Sequence, residues 1–245
     1  MSFDPNKSRA YVILFAAGVS GVFTAAIMAL HVATEPIVER NERLLTERAI
    51  VELFGLGDVG QLSGDETEAL YDRRVRRATI AKGTPEEMEV LLAYSQDLPS
   101  DAEGDPGDKA RLKGYGVPIR GVGFWAVIEG YLAVTPDAAR TLGIVFLRHS
   151  ETPGLGGRIT EDQFRRWFRP GGAHEDGLNV TPPPQGEPYI DIGPPVETTA
   201  PRDDRHVDAL TGATGTSNAV ADFLNEDLAR FRRALAAEGL LPEVP

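Results

Sequence analysis

The sequence predicts an α+β fold in which one N-terminal transmembrane helix precedes a single soluble domain. Three features of the 245-residue chain lead to this class: an uncharged apolar run at residues 11–33, a β-rich stretch at 115–148, and an amphipathic helical pattern near the C-terminal end. Strands that come first, followed by a helix, favour an α+β fold over alternating βα units. A hydrophobic content of 42% is enough to support a packed core.

The composition excludes several kinds of site. A formal net charge of −12 argues against nucleic acid as a partner, because binding phosphates requires clustered lysine and arginine. The chain contains no cysteine, which excludes disulfides, thiolate nucleophiles and cysteine metal ligands. The histidines lack the spacing of metal ligands, so we expect no metal site and structural or solvent-facing roles for them. They are His31, His149, His174 and His206.

Residues 11–33 contain no Asp, Glu, Lys or Arg and are predicted to form the transmembrane helix. As a helix this run is about 34 Å long, enough to cross a hydrocarbon core of about 30 Å. A cleaved signal peptide is the alternative, but the run is long for a signal core and no Ala-x-Ala site follows it. Residues 1–10 form a short tail before it, and basic residues on both sides leave the orientation open.

A juxtamembrane helix is predicted over residues 34–55. Pro36 suits the first turn of a new helix. Ile37, Leu44 and Val51 then recur every seven residues, which indicates an amphipathic helix.

The next part of the chain is less regular. Residues 56–70 are polar and rich in turn-forming residues, and residues 99–110 are predicted to form an acidic loop broken by Gly and Pro. Between them, residues 90–94 favour a strand. A helix capped by Thr84 and Glu87 is the alternative for that region.

Residues 115–148 hold the strongest strand signals. The segment FWAVIEGYLAVT is predicted as two short strands about Glu129 and Gly130, and TLGIVFLRH as another strand. The Pro/Gly-rich turn at 151–157 ends this region, and a short helix is predicted at 160–169.

The last third of the chain combines a long loop with a clear helix. Residues 170–205, including the proline-rich part at 181–201, are predicted to be irregular with one strand at EPYIDI. Apolar residues then fall on one face of a terminal helix. They are Val220, Phe223, Leu224, Leu228, Phe231 and Leu235.

The stretch TGATGTS at residues 211–217 stands immediately before that helix. Unpaired N–H groups and the positive end of the helix dipole favour a phosphate there, and glycines allow a ligand to approach the backbone. The alternative is a simple helix cap in which Thr216 or Ser217 accepts the first N–H groups. A Walker A loop is excluded, because no Gly-Lys-Ser/Thr follows.

Residues 208–214 have the sequence DALTGAT and match the flavinylation motif Asp-x-x-Ser/Thr-Gly-Ala-Thr. The chain therefore resembles the FMN-binding subunits of two related respiratory complexes, NqrC of the Na+-translocating NADH:quinone reductase (Nqr) and RnfG of the Rnf complex. The resemblance implies that Thr214 carries covalent FMN through a phosphoester, made from FAD by a dedicated flavin transferase with a divalent metal. Other cofactor-binding positions implied around it are Asp208, Thr211, Gly212, Ala213, Thr216 and Ser217.

Two further segments strengthen the resemblance. HSETPGLGG at residues 149–157 is similar to a family turn that lies against the flavin ring. This implies contacts from Thr152, Gly154 and Leu155, while Glu151 either contacts the flavin or holds the turn. YGVPIRGVGFWAVIEGYLAV resembles the Nqr pattern more than the Rnf pattern, and it places Trp125 beside the flavin. An ordinary core or exposed-edge tryptophan is the alternative.

The resemblance implies a membrane-anchored flavoprotein subunit that relays electrons within an ion-translocating NADH:quinone reductase, coupled to sodium transport. Residues 56–245 would form the FMN-binding domain, on the outer (periplasmic) face of the cytoplasmic membrane, with residues 1–10 in the cytoplasm. Other membrane subunits are the implied partners, and neither catalytic residues nor independent turnover are expected. The alternatives are an Rnf-type subunit, a stand-alone flavoprotein for extracellular electron transfer, and a non-redox membrane-tethered scaffold.

Overall fold

The structure, a computed structural model, describes residues 5–196 and 203–241, with side chains from residue 11 onward. The chain divides into two compact units, Met1–Leu45 and Thr46–Pro245. The first residues of the predicted N-terminal tail and the end of the proline-rich loop lie outside the described residues. The combination of a long N-terminal helix with a mixed helix-and-sheet unit confirms the predicted α+β class.

Helix α1, Pro5–Leu53, is continuous through Pro36, so the predicted start of a new helix at this proline is wrong. Proline removes one backbone hydrogen bond but does not oblige the chain to leave the helix when both sides are good helix formers. Just before it, the Thr34 hydroxyl donates to the carbonyls of Leu30 and His31, which adds local bonds within the helix. By length and composition, α1 is capable of crossing a membrane.

The second unit is built on a five-stranded antiparallel sheet whose strands follow one another in chain order. The strands are β1 (Val75–Ile80), β2 (Met88–Tyr94), β3 (Leu112–Val122), β4 (Val127–Val134) and β5 (Thr141–Arg148). The strand expected at 90–94 is confirmed as part of β2, and β1 was not predicted. Thr84 lies in the turn between these strands, so the helical alternative is wrong.

Strand β4 runs straight through Glu129 and Gly130, and the prediction of two short strands about this pair is wrong. The pairing with β5 shifts register at this point, and a Cβ on Gly130 would overlap the carbonyl oxygen of Val145. A glycine inside a strand marks such a bulge or a close backbone approach as often as it marks a turn. The turn lies instead at residues 123–126, between β3 and β4.

Helix α4, Thr214–Ala237, covers one face of the sheet, and its predicted apolar stripe is confirmed as buried. A Cβ at Gly121 on β3 would overlap the ring of Phe223, so the helix lies very close to the strand. The backbone N–H of Arg120 also donates to the Asp227 carboxylate at 2.9 Å. Burial raises the pKa of Asp227 above its ordinary value, although this hydrogen bond opposes the shift.

The other face of the sheet packs against the end of α1 and is flanked by helix α2, Gly64–Arg74. Residues 56–70 were expected to be turn-rich, so α2 corrects that prediction. Its start is a capping box in which the Ser63 hydroxyl accepts from the Glu66 N–H and the Glu66 carboxylate accepts from the Ser63 N–H. These reciprocal bonds satisfy N–H groups that a helix start otherwise leaves unpaired.

The chain between β5 and α4 wraps around the α4 side of the sheet. A short helix, α3 (Asp162–Arg165), flanked by single 3₁₀ turns, confirms the helix expected at 160–169. Two short strands, β6 (Asp191–Gly193) and β7 (His206–Asp208), pair in parallel. Only one strand was expected in this region, and β7 leads directly into the TGATGTS stretch.

Candidate functional site

Three segments of the second unit meet at one cleft beside the N-terminus of α4: the β3–β4 turn, the turn after β5, and the loop before α4. The cleft has a volume of about 250 Å³. Its lining consists of Phe124, Trp125, Glu151, Thr152, Leu155, Gly156, Gly212, Ala213, Thr214, Gly215 and Thr216. The tertiary structure thus brings together three segments that the sequence had linked only by resemblance.

Four of the predicted site residues lie outside this cleft. Gly154 is at the exposed crest of its turn with φ +74°, a conformation that glycine adopts without strain. Ser217 is buried beneath the loop. Asp208 and Thr211 line a second, smaller cavity of about 100 Å³, together with Arg158 and other residues. The predicted site residues are therefore divided between two pockets, and Gly154 and Ser217 line neither of them.

Glu151 is the central residue of the cleft, and only 5% of it is exposed. Its Oε1 accepts the backbone N–H of Trp125 at 3.1 Å, and its Oε2 accepts the Thr216 hydroxyl at 2.5 Å. Cβ atoms at Gly123 and Gly156 would each lie 2.5 Å from a carboxylate oxygen of Glu151. Both oxygens are thus bonded to protein donors, and Glu151 holds the turn to the other two segments.

The apolar wall of the cleft is unusually open to solvent. Trp125 is 67% exposed and its indole N–H donates to the Thr152 hydroxyl at 3.0 Å. Phe124 is 63% exposed and stands perpendicular to Trp125, with ring centroids 5.1 Å apart. Leu155 continues this surface on the neighbouring turn. The alternative of a core tryptophan is wrong, and an exposed apolar group of this size indicates a contact surface.

Phe124, Gly156 and Gly215 are site residues that the sequence did not predict. Residues of a strand alternate between its two faces, so assigning Phe124 to the same strand as Trp125 would have sent the two rings in opposite directions. In the actual turn both rings line the cleft. A Cβ at Gly215 would lie 2.8 Å from the Phe124 ring, so the ring rests on the first turn of α4.

The N-terminus of α4 has no side-chain cap among the described residues. The Ser217 hydroxyl instead accepts the N–H of Leu210 at 3.0 Å, and the Thr216 hydroxyl donates to Glu151. The alternative of a simple helix cap by these two hydroxyls is therefore wrong. The exposed Thr214 stands at this helix end, where unpaired N–H groups and the helix dipole favour an anion.

An exposed aromatic wall beside an uncapped helix N-terminus suits a ligand that combines a flat ring system with an anionic group. Residues 123–229 match the FMN-binding domain family, and this range contains all three segments of the cleft. The residues that match this family thus lie in the second unit, after the long N-terminal apolar helix.

Comparisons with individual proteins identify the type of FMN-binding protein more specifically than the family match does. The chain is 29% identical over 238 residues to NqrC, a subunit of the Na+-translocating NADH-quinone reductase, from Pseudomonas aeruginosa, covering 84% of this chain and 85% of that protein. It is 36% identical over 120 residues to the corresponding protein of Yersinia pestis, covering 49% and 41%. The predicted resemblance to NqrC is confirmed.

Two solved structures share the fold. The crystal structure of Shewanella oneidensis NqrC matches with a TM-score of 0.58 at 20% identity, covering 82% of this chain and 97% of that one. The corresponding protein from Parabacteroides distasonis matches with a TM-score of 0.56 at 21% identity, covering 81% and 95%. At these low sequence identities, the structural similarity supports a shared fold and no more than that.

Replacing Glu151 tests whether it joins the three segments. The Glu151→Ala variant leaves the Trp125 N–H and the Thr216 hydroxyl unpaired, and we expect the free energy of unfolding to fall by about 1–3 kcal/mol. Thermal unfolding of the purified chain, followed by tryptophan fluorescence, measures this loss. Glu161→Ala is the matched control, because Glu161 is exposed and its ion pair with Arg158 is weak. Equal unfolding midpoints in the two variants would contradict the role of Glu151.

Proposed function

We propose that this chain is a membrane-anchored flavoprotein subunit that carries FMN covalently on Thr214 and relays electrons within a Na+-translocating NADH:quinone reductase. The observation that carries the proposal is the exposed Thr214 at an uncapped helix N-terminus, directly beside the aromatic wall. The FMN-binding domain match and the named relatives support it. Those relatives are named as subunits of the Na+-translocating reductase, which favours an Nqr-type assignment over the Rnf-type alternative.

The residues of the cleft fit FMN. Trp125, Phe124 and Leu155 offer flat or apolar surface to the ring system, and the cleft volume of about 250 Å³ suits the ring while the phosphate stays outside at α4. The free N–H groups at the start of α4 suit that phosphate. Gly212 has φ +81°, so the loop approaches the cleft in a conformation that other residues adopt only with strain.

Esterification of Thr214 requires a separate enzyme. Its hydroxyl makes no hydrogen bond to a described side chain, so none of the described residues is placed as its general base. We therefore infer a separate flavin transferase. Thr214 Oγ1 would attack the FMN-side phosphorus of FAD, AMP would leave, and the hydroxyl proton would pass to a base of the transferase. The bound FMN supplies the redox chemistry, while this chain fixes its position and surroundings.

The attachment site is tested by Thr214→Ala. We expect this variant to lose the FMN mass completely, because no hydroxyl remains at the position, while the fold is retained because Thr214 is exposed. Intact-protein mass spectrometry after co-expression with a flavin transferase is the measurement. Thr214→Ser keeps a hydroxyl and should still be loaded, and Thr160→Ala should behave as the wild type. A full FMN mass on the alanine variant would exclude Thr214 as the acceptor.

We propose further that the isoalloxazine ring lies against Trp125, within reach of the turn at Thr152 and Leu155. Stacking on an indole quenches flavin emission and alters the relative stability of the oxidised and reduced ring.

The variant Trp125→Leu should therefore keep covalent FMN but show brighter emission and a shifted redox midpoint. Emission of the folded chain is compared with emission after denaturation, which corrects for flavin content. Val122→Ala is the control, because Val122 is exposed on the same hairpin and does not line the cleft. If emission and midpoint stay unchanged in a fully loaded Trp125→Leu chain, the ring is elsewhere.

We also propose that α1 anchors the chain in the cytoplasmic membrane, with the second unit on the outer side. Support comes from the length of α1, from the resemblance to NqrC, and from the lack of cysteine, which an oxidising compartment permits.

The natural absence of cysteine makes this topology easy to test with single introduced cysteines. In intact spheroplasts, a membrane-impermeant maleimide should label Thr160→Cys in the second unit at once. Ser8→Cys, before the apolar run, should be labelled only after permeabilisation. The opposite pattern would reverse the proposed orientation.

A further inference from the structure

A buried histidine lies between two carboxylates immediately before the flavinylation motif. His206 on β7 is 5% exposed and faces Asp191 across the parallel pair of β6 and β7. Its Nδ1 is 2.7 Å from Asp191 Oδ2, and its Nε2 is 3.4 Å from Asp208 Oδ1. Carboxylates accept hydrogen bonds and do not donate them when ionised, so both ring nitrogens of His206 face acceptors.

The contact between His206 and Asp208 is close but incomplete. His206 Nε2 and Asp208 Oδ1 are both buried, and neither has a hydrogen-bond partner among the described residues, although they lie within ion-pair distance. Poorly paired buried polar groups destabilise a fold, and native structures contain few of them. The Asp208 side chain is nevertheless 25% exposed, so one oxygen is held inside while the rest of the side chain reaches the surface.

The open side of Asp208 borders the second cavity, called here the polar cavity. Asp208 and Thr211 contribute to it from the motif, and Arg158, Gln163 and Arg166 from the segment around α3. Residues 208–211 thus line the polar cavity and residues 212–216 line the cleft with the aromatic wall, so the motif contributes consecutive residues to both.

The loop between the two pockets is held at several points. Its Ala209 N–H donates to the Gly193 carbonyl at 2.7 Å, and its Leu210 N–H donates to the Ser217 hydroxyl. The backbone of this loop is thus fixed by bonds that do not involve His206. The contact between His206 Nε2 and Asp208 is instead with the Asp208 side chain.

We propose that His206 is a positioning residue for flavin loading: it holds Asp208 so that this carboxylate is presented at the polar cavity, where the flavin transferase recognises the chain. This inference rests on the proposed covalent attachment at Thr214. It explains why the incompletely paired side chains of His206 and Asp208 lie next to the loop that leads to Thr214, although Thr214 lines the cleft and not the polar cavity.

Two substitutions of His206 separate positioning from general support of the fold. In His206→Asn the amide takes the place of Nδ1, so contact with Asp191 is retained and contact with Asp208 is lost. In His206→Gln the amide takes the place of Nε2, so contact with Asp208 is retained and contact with Asp191 is lost. The loading rate of the full chain with transferase and FAD is measured by mass spectrometry, alongside the thermal unfolding midpoint of each variant.

We expect His206→Asn to load about tenfold more slowly or worse, as for other small misplacements of reacting partners, and His206→Gln to load at close to the wild-type rate. Asp208→Asn, which removes the presented charge, should load as slowly as His206→Asn with an unchanged fold. His174→Gln is the control, because His174 is bonded to the His206 carbonyl without touching Asp208.

Equal loading of the Asn and Gln variants of His206, or normal loading of Asp208→Asn, would overturn the positioning role. Loading that simply follows the unfolding midpoint across all variants would also overturn it, in favour of a structural role. A wild-type chain that gains no FMN, or a Thr214→Ala chain that does, would instead overturn the proposed function and this inference with it.

Discussion

The carboxylate of Glu151 is the interaction on which the arrangement of the site depends. It is buried and accepts hydrogen bonds from the β3–β4 turn and from the first turn of α4 while belonging to the turn after β5. A buried carboxylate is tolerated when donors satisfy it, and here those donors come from the segments that must meet. Without it, the walls of the cleft would be joined by the indole bond from Trp125 to Thr152 and by apolar contacts at their exposed edges.

The sheet determines where that interaction forms. Helix α4 packs closely against β3, because Phe223 contacts Gly121 and the backbone N–H of Arg120 donates a hydrogen bond to Asp227. The helix is therefore held along the strand whose end carries the aromatic turn. This places the N-terminus of α4 at the same edge of the sheet as Phe124 and Trp125, where a tethered ring and its phosphate would both find partners.

The hydroxyl groups in the first turn of α4 have different roles, although they are chemically alike. Ser217 supports the loop backbone, Thr216 supports Glu151, and Thr214 remains exposed at the helix end. Because neighbouring hydroxyls are engaged, the positive end of the helix is left available to an anion. Asp208 and Thr211, just before these hydroxyls, line the polar cavity, so consecutive residues of one short segment contribute to both pockets.

The sequence by itself determined the features that depend on local periodicity and on motif order: the long apolar helix, the buried stripe of α4, the β-rich region, and the resemblance to NqrC. Only the tertiary structure decided that Gly130 lies inside a strand, that Phe124 joins Trp125 in the cleft, and that His206 lies between Asp191 and Asp208. Each of these depends on which backbone or side chain approaches from a distant part of the chain. Hydrophobic periodicity reports which face of an element is buried, but not which partner group lies against it.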